Sequence, residues 1–174
     1  MKFMTACCFF ICGVMLWWIP EYRKGNTQPA QIILSASTLL LNLIMATLLV
    51  GTFFGIHTGI ENFFIQEQSG AVSTVLLGAP SLITMISFIL LSCAGILVMI
   101  EPFALRFFLR SIGICISVIG SLAVFGYMWD VPALYFSFPK ISNPIAFNTS
   151  LLFMLCGIAL IISSRYAYEQ EERR

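Results

Sequence analysis

The chain is organised around Asn-Pro-Ile-Ala-Phe-Asn-Thr-Ser-Leu-Leu-Phe-Met-Leu-Cys-Gly-Ile-Ala-Leu, residues 143–160. Asparagine and proline interrupt the chain at the start of this stretch, and an apolar run of membrane-spanning length follows. Asn148 or Thr149 is placed to cap a helix, because either side chain accepts hydrogen bonds from backbone N–H groups that the first turn leaves unpaired. The stretch therefore predicts a membrane helix that begins close to these two residues.

One side of this helix carries a regular set of residues. Thr149, Phe153, Cys156, Gly157 and Leu160 fall at i, i+4, i+7, i+8 and i+11, which places them on one face of an α-helix. In lipid, small residues on such a face allow a neighbouring helix to come close. We interpret this side as a helix-packing face.

The same pattern occurs twice more in the chain. The first helix aligns with it through Thr5, Phe9, Cys12, Gly13 and Leu16, and a weaker copy contains Thr84, Phe88 and Ser92. Such self-similarity is typical of an internal repeat. The repeat predicts that the helices pack against one another through Thr5, Phe9, Gly13, Thr84, Phe88, Thr149, Phe153 and Gly157.

Composition indicates a membrane protein. Apolar residues make up 59% of the 174 residues and charged residues only 10%, whereas a soluble domain carries about a quarter charged residues. The apolar runs approach the ~20 residues needed to cross the hydrocarbon core, and a backbone in lipid must satisfy its own hydrogen bonds, so the runs predict helices. We expect an all-α, polytopic membrane protein with a single membrane domain over 1–174. Its five spans are predicted at about 3–19, 31–54, 80–100, 105–128 and 146–164.

The positions of lysine and arginine predict the orientation of the helices. Of the nine basic residues, Lys2 and Lys140 fall on one side of the membrane. The other side receives Arg23, Lys24, Arg106, Arg110, Arg165, Arg173 and Arg174. We therefore predict an N-terminus outside and a C-terminus in the cytoplasm, with 165–174 as a charged cytoplasmic stub. Spans 1, 3 and 5 then run in the same direction, as parallel two-helix repeats.

The two outer loops hold the candidate binding residues. In the second loop, His57 and Glu61 meet on one face if the segment is helical, and an imidazole that titrates near ~6.5 is a candidate pH sensor. In the fourth loop, Asp130 beside Tyr127 and Trp129 is a candidate contact for a polar or cationic ligand. The alternatives are an ordinary solvated histidine and simple anchoring at the membrane interface. These five residues are predicted to form a rim that binds a signal or a partner.

The sequence favours neither catalysis nor a bound cofactor. It contains no Ser/His/Asp set, no paired intramembrane carboxylates and no phosphate-cradling loop. The clustered Cys7, Cys8 and Cys12 lack the second ligand pair that a structural zinc site needs, so they are interpreted as small packing residues. A single histidine excludes two-histidine haem ligation within one chain, and a net charge of +1 gives no basic field for nucleic acid. We expect a protein that is not an enzyme, carries no cofactor, and has the lipid bilayer and other membrane-protein subunits as partners.

The stretch 143–160 resembles a helix in the membrane sensor regions of bacterial histidine kinases and diguanylate cyclases. There an Asn-Thr start leads into phenylalanine, small residues and a Gly-x-Ala-Leu run, after a helix that ends in Gly-Tyr and a Pro-aromatic segment. Here Gly126, Tyr127 and Pro132 match the preceding part. The resemblance covers about residues 39–165, and Thr84 departs from it because no asparagine precedes that residue. It implies location in the bacterial inner membrane, perception of a signal, and a homodimer.

Two functions stay open at this point. A sensor region of that kind would continue into a PAS, kinase or cyclase domain, yet the chain holds no phosphoacceptor histidine segment, ATP-binding motif or Gly-Gly-Asp-Glu-Phe motif. The first interpretation is a membrane module that passes an extracytoplasmic or membrane signal to a cytoplasmic output. The second is a stand-alone, non-catalytic accessory subunit packed into a larger membrane complex.

Overall fold

The computed structural model describes residues 3–24, 27–54, 80–135 and 144–171, and within these ranges the chain is helical and has no strand. The helices, in chain order, are α1 (Phe3–Arg23), α2 (Thr27–Phe54), α3 (Leu82–Ile100), α4 (Leu105–Met128), α5 (Pro132–Tyr135) and α6 (Phe147–Glu171). All except the short α5 are long and apolar enough to cross a membrane. For the described residues, the prediction of an all-α fold with five helices of membrane-spanning length and hydropathy is therefore confirmed.

Two helices on the N-terminal side extend beyond the predicted spans. α1 continues past Pro20 to Arg23, although a proline inside a helix removes one backbone hydrogen bond and its ring crowds the carbonyl of residue i−4. The Pro20 carbonyl still accepts a hydrogen bond from the N–H of Lys24 at 3.0 Å. α2 begins at Thr27 and so takes Pro29 into its first turn, where N–H groups have no partner within the helix.

The ends of α3 are set by local hydrogen bonds. At its start, the Ser81 hydroxyl accepts a hydrogen bond from the N–H of Thr84 at 3.2 Å, which satisfies a first-turn donor. At its end, Glu101 adopts a left-handed conformation with φ 49°, and its N–H donates to the Leu97 carbonyl at 3.0 Å. Because the chain turns sharply at Glu101, α4 begins only four residues later, at Leu105, and packs against α3.

At the C-terminal side the structure adds one helix and lengthens another. The segment after α4 was predicted as a loop, but residues 132–135 form the short α5. The apolar span is predicted to end near residue 164, followed by a charged stub whose composition is compatible with a continued helix, and α6 continues to Glu171. Alanine, glutamate and glutamine in this extension are good helix formers, so the helix does not end where the apolar run ends.

The long helices form one bundle with α1, α3 and α6 at its centre. α2 packs against α1 and α3, and α4 packs against α3 and α6. Contacts between α1 and α3 join Phe9 to Phe88 and Arg23 to Glu101, in the same order along both helices. α1 and α3 therefore run in the same direction, and α2 runs against both.

Candidate functional site

Three of the five predicted rim residues lie where α4 ends. Tyr127 is the penultimate residue of α4, and Trp129 and Asp130 follow the helix. Both Trp129 and Asp130 are exposed. The other two, His57 and Glu61, lie outside the described residues.

The chain after α4 folds back onto the helix. Asp130 has a φ of 52°, a left-handed conformation that aspartate tolerates better than most residues. The N–H of Val131 then donates to the Gly126 carbonyl at 2.9 Å. A Cβ atom on Gly126 would lie 2.7 Å from the Cβ of Leu134, so glycine is required for this approach. Residues 126–135, which we name the corner, are thus held as one unit.

The corner is bonded directly to the start of α6. The Tyr127 hydroxyl donates to the Ile145 carbonyl, and the Ile145 N–H donates to the Tyr135 carbonyl at 3.1 Å. The ring of Tyr127 stacks on Tyr135 with centroids 4.2 Å apart and meets Phe147 edge-on at 5.9 Å. Hydrogen bonds and ring contacts therefore join the corner to the start of α6.

The free side of the corner combines an aromatic ring with a carboxylate. Trp129 stacks on Phe125 with centroids 5.0 Å apart and an angle of 25° between the rings. Trp129 keeps 66% of its surface exposed, and Asp130 beside it is also exposed. An indole face and a carboxylate together suit a cationic group, and an exposed tryptophan suits the lipid headgroup region.

The predicted packing face brings three phenylalanines to the centre of the bundle. The ring centroids lie 4.7 Å apart for Phe9 and Phe88, 4.8 Å for Phe9 and Phe153, and 5.0 Å for Phe88 and Phe153. Each ring comes from a different helix and each is buried. Edge-on and tilted pairs of this kind contribute about 0.5–1.5 kcal/mol each beyond their burial. We name these three residues the phenylalanine cluster.

The threonines of the predicted face are also buried, whereas one of its two glycines is buried and the other is exposed. Thr5, Thr84 and Thr149 lie one turn before the clustered rings and are each nearly inaccessible to solvent. Gly157 is buried against α4. Gly13 requires a correction, because it is exposed and no described atom lies within 4 Å of a Cβ built on it. No described helix packs on this side of α1, so Gly13 takes no part in the observed packing.

The close contact between α4 and α6 was predicted only in part, because the sequence indicates Ser117 as a candidate for a bond between helices but not the glycines beside it. A Cβ atom on Gly113 would lie 2.9 Å from the Gly157 carbonyl oxygen, and one on Gly120 would lie 2.6 Å from the Ser150 carbonyl oxygen. The Ser117 hydroxyl donates to the Met154 carbonyl at 3.3 Å. Backbone therefore meets backbone along α4 and α6. The available signal was the spacing of Gly113, Ser117 and Gly120 at i, i+4 and i+7.

A side-chain hydrogen bond joins α2 to α3. The Asn42 amide donates to the Ser92 hydroxyl at 3.1 Å, and Ser92 in turn donates to the Ile89 carbonyl at 2.9 Å. The sequence indicates four candidates for hydrogen bonds between helices, namely Asn42 and Thr47 in α2 and Ser117 and Ser121 in α4. Asn42 and Ser117 each make such a bond, whereas the Thr47 hydroxyl donates to the Leu43 carbonyl of its own helix.

An ion pair joins α1 to α3 at the opposite end from the corner. Arg23 Nη1 lies 3.3 Å from Glu101 Oε1, and the arginine side chain is only 13% exposed. Within the described part of the chain, no group of three or more histidine, cysteine or acidic residues is arranged to hold a metal ion. Cys12 of α1 and Cys156 of α6, which occupy matching positions in the predicted repeat, lie close enough to interact.

No protein-family model, curated protein or solved structure matches the chain. The resemblance to bacterial sensor regions therefore stays a prediction.

Proposed function

We propose that the chain is an integral-membrane signal-perception module in which a change at the corner is transmitted along α6. The observation that carries this proposal is the direct attachment of the corner to α6 through Tyr127, Ile145 and Tyr135. α6 then runs without a break from Phe147 to Glu171. A rigid helix that is held at one end and continues past its apolar part is a suitable element to carry a displacement across a bilayer.

The proposed orientation places the corner outside and the far end of α6 in the cytoplasm of a bacterial inner membrane. It is supported by the excess of lysine and arginine on the side of Arg23 and Arg165. In this orientation Trp129 and Asp130 face the outer headgroup region, where a cationic ligand or a partner has access to them. The proposed output lies beyond α6 on the cytoplasmic side, and a homodimer is the expected assembly.

The proposal includes parallel two-helix repeats, with α1, α3 and α6 as the equivalent members. It is supported by the phenylalanine cluster, to which each of these helices contributes one ring. Signalling by such a bundle requires two helix arrangements whose populations the signal shifts. The close contact of α4 with α6 at Gly120 and Gly157 couples the two helices, so that a shift of one is passed to the other.

Hydrogen exchange of the full chain in lipid nanodiscs tests this coupling. Tyr127→Phe removes the hydroxyl that donates to Ile145 and keeps the ring stack. One hydrogen bond contributes about 0.5–1.5 kcal/mol, so amides near the corner are expected to exchange about two- to tenfold faster. The proposal predicts that amides of residues 162–171, at the far end of α6, change as well.

Tyr135→Phe is the matched control, because it removes a hydroxyl from the other ring of the same stack. It is expected to leave exchange at 162–171 unchanged, as are peptides of α2 in both variants. If Tyr127→Phe alters exchange only within residues 126–150, the corner and the far end of α6 are uncoupled and the signalling proposal is wrong.

The second candidate is an accessory subunit of a larger membrane complex. It is favoured by one observation, the open face of α1 around Gly13. In this case the far end of α6 is expected to be insensitive to Tyr127→Phe, and the protein is expected to purify with other membrane proteins.

A further inference from the structure

The glycine contact of α4 with α6 continues toward the start of α4 as two arginines. Arg110 and Arg106 lie three and seven positions before Gly113, which places them on or beside the face of α4 that meets α6. Both arginines are exposed. The α4 side of the contact therefore changes from glycine to arginine at this end of the bundle.

α6 places a third arginine at the same end. A Cβ atom on Gly120 would meet Ser150, whereas one on Gly113 would meet Ile161, so α4 and α6 run antiparallel and the start of α4 lies beside the later turns of α6. Arg165 follows Ile161 by four positions, on the same side of α6, and is exposed. The packing thus gathers arginines from both helices at one end of their contact. We name this set the arginine cluster: Arg106, Arg110 and Arg165.

The carboxylates whose side chains the structure describes do not neutralise Arg110 or Arg165. Two of them pair with basic residues at the end of α1. The other, Asp130, lies beyond the opposite end of α4. Among the described side chains, the positive charges of Arg110 and Arg165 therefore have no acidic partner.

Arg110 lies within the apolar length of its helix. It is in the second turn of α4, and the exposed apolar side chains of Phe107 and Ile114 lie one turn before and one turn after it. A guanidinium at this depth in a membrane is costly without an anionic partner, although its long stem lets it reach toward the headgroup region. Because its apolar neighbours suit acyl chains, the surroundings of Arg110 favour an anion that belongs to a lipid over one dissolved in water.

We infer that the arginine cluster binds the phosphate of an anionic phospholipid, with Arg110 and Arg165 as its main ligands. A guanidinium donates two parallel hydrogen bonds to a phosphate, and basic sites between membrane helices are typical of anionic-lipid binding. The inference goes beyond signal perception. It rests on the packing of α4 against α6 and requires neither the proposed orientation nor the repeat arrangement.

A bound phosphate also accounts for like charges at a helix contact. Neighbouring guanidiniums repel each other, and the repulsion is stronger where the membrane excludes water. A phosphate between Arg110 and Arg165 attracts both and so offsets their repulsion. The lipid is therefore expected to stabilise the packing of α4 on α6 at this end.

Native mass spectrometry of the full chain in detergent, with lipid added in known amounts, tests the inference. The probes are phosphatidylglycerol, which is anionic, and phosphatidylcholine with the same acyl chains, which has no net charge. The wild-type chain is expected to bind phosphatidylglycerol more tightly. Arg110→Gln and Arg165→Gln are each expected to weaken this binding about fivefold, the factor that corresponds to the ~1 kcal/mol that one basic residue contributes near anionic lipid. Neither substitution is expected to change the binding of phosphatidylcholine.

Lys24→Gln is the matched control. Lys24 is also exposed at this end of the bundle, but it pairs with Glu21, so its substitution is expected to keep the affinity for phosphatidylglycerol. Glycerol 3-phosphate, which has the phosphate without acyl chains, is expected not to displace the lipid. Thermal unfolding without added lipid is expected to be the same in all variants, and phosphatidylglycerol is expected to raise the Tm of the wild type more than that of either arginine variant. The lipid preference of the wild type needs no variant and is an independent measurement.

Several results would overturn the inference. Equal affinity of the wild type for the two lipids is one, and unchanged phosphatidylglycerol binding in both arginine variants is another. Displacement of the lipid by glycerol 3-phosphate would show a site for a soluble anion instead. Co-purification of an acidic protein that both arginine variants lose would show that a protein occupies the site. None of these readouts measures hydrogen exchange along α6, so this inference and the proposed function fail separately.

Discussion

The ring of Phe9, in the first helix, lies 4.8 Å from the ring of Phe153, in the last helix, measured between centroids. Phe88 contacts both rings and closes the cluster. These ring contacts hold α1, the first helix, and α6, the last helix, against each other at the centre of the bundle. The helices that join these rings along the chain, α2 and α4, are thereby confined to the outside of the bundle.

Phe88→Ala is expected to destabilise the fold strongly. Phe88 is fully buried and its ring touches two others, so truncation leaves a cavity that costs about 3–5 kcal/mol. Equilibrium unfolding in mixed dodecylmaltoside and SDS micelles measures the loss. Phe107→Ala is the control, because Phe107 is 69% exposed. A similar loss of unfolding free energy in this variant would show that the phenylalanine cluster stabilises the fold no more than an exposed ring does.

Gly120→Ala is expected to separate α4 from α6. The added Cβ would lie 2.6 Å from the Ser150 carbonyl oxygen and 2.7 Å from the Met154 nitrogen. Both are backbone atoms that cannot move aside by a rotamer change, so overpacking is expected to cost about 1–3 kcal/mol. Gly13→Ala adds the same atom to an open face and should not lower stability. Equal effects in thermal unfolding of the two variants would contradict this packing.

Asn42 and Ser92 are expected to show a small, measurable coupling. Hydrogen bonds between membrane helices contribute about 0.6 kcal/mol on average, and the Asn42–Ser92 bond joins α2 to α3. A double-mutant cycle of Asn42→Ala and Ser92→Ala isolates this contribution in the unfolding free energy. Additive effects of the two substitutions would mean that the bond does not form in the bilayer.

Glu101 is expected to respond differently to alanine and to glycine. Its left-handed backbone, with φ 49°, costs a residue with a Cβ about 1–2 kcal/mol relative to glycine. Both substitutions remove the ion pair with Arg23, which contributes at most about 1 kcal/mol because Glu101 is exposed. Glu101→Ala should therefore be less stable than Glu101→Gly by about 1–2 kcal/mol. Equal unfolding free energies for the two variants would contradict this account of the α3 end.

The sequence predicts the helices and the centre of the bundle better than its outer contacts. Length and hydropathy are sufficient for five spans, and the Thr-x3-Phe pattern leads directly to Phe9, Phe88 and Phe153. Gly113 and Gly120 escape a search for the Thr-x3-Phe pattern because α4 does not contain that pattern. Gly13 matches Gly157 in sequence, but only Gly157 is covered by another helix. The sequence pattern of one helix does not show whether a second helix packs on it.

The contacts of the corner with α6 are a second feature that the local sequence pattern does not predict. Proline and aromatic residues after α4 predict a loop at the interface, and the exposed Trp129 and Asp130 agree with that description. The attachment to α6 consists of the hydrogen bond from the Tyr127 hydroxyl to the Ile145 carbonyl, the hydrogen bond from the Ile145 N–H to the Tyr135 carbonyl, and the contact of the Tyr127 ring with Phe147. Such a contact between residues distant in sequence has no periodicity and is visible only once the helices are packed.

We propose that α6 connects an extracytoplasmic corner to a cytoplasmic end. Labelling with a membrane-impermeant thiol reagent tests it most directly, in a chain whose six native cysteines are replaced by alanine. Asp130→Cys should be labelled only from outside intact cells, and Arg165→Cys only after the cytoplasmic side is made accessible. Labelling of both positions from the same side, or of the two in the reverse order, would contradict the account.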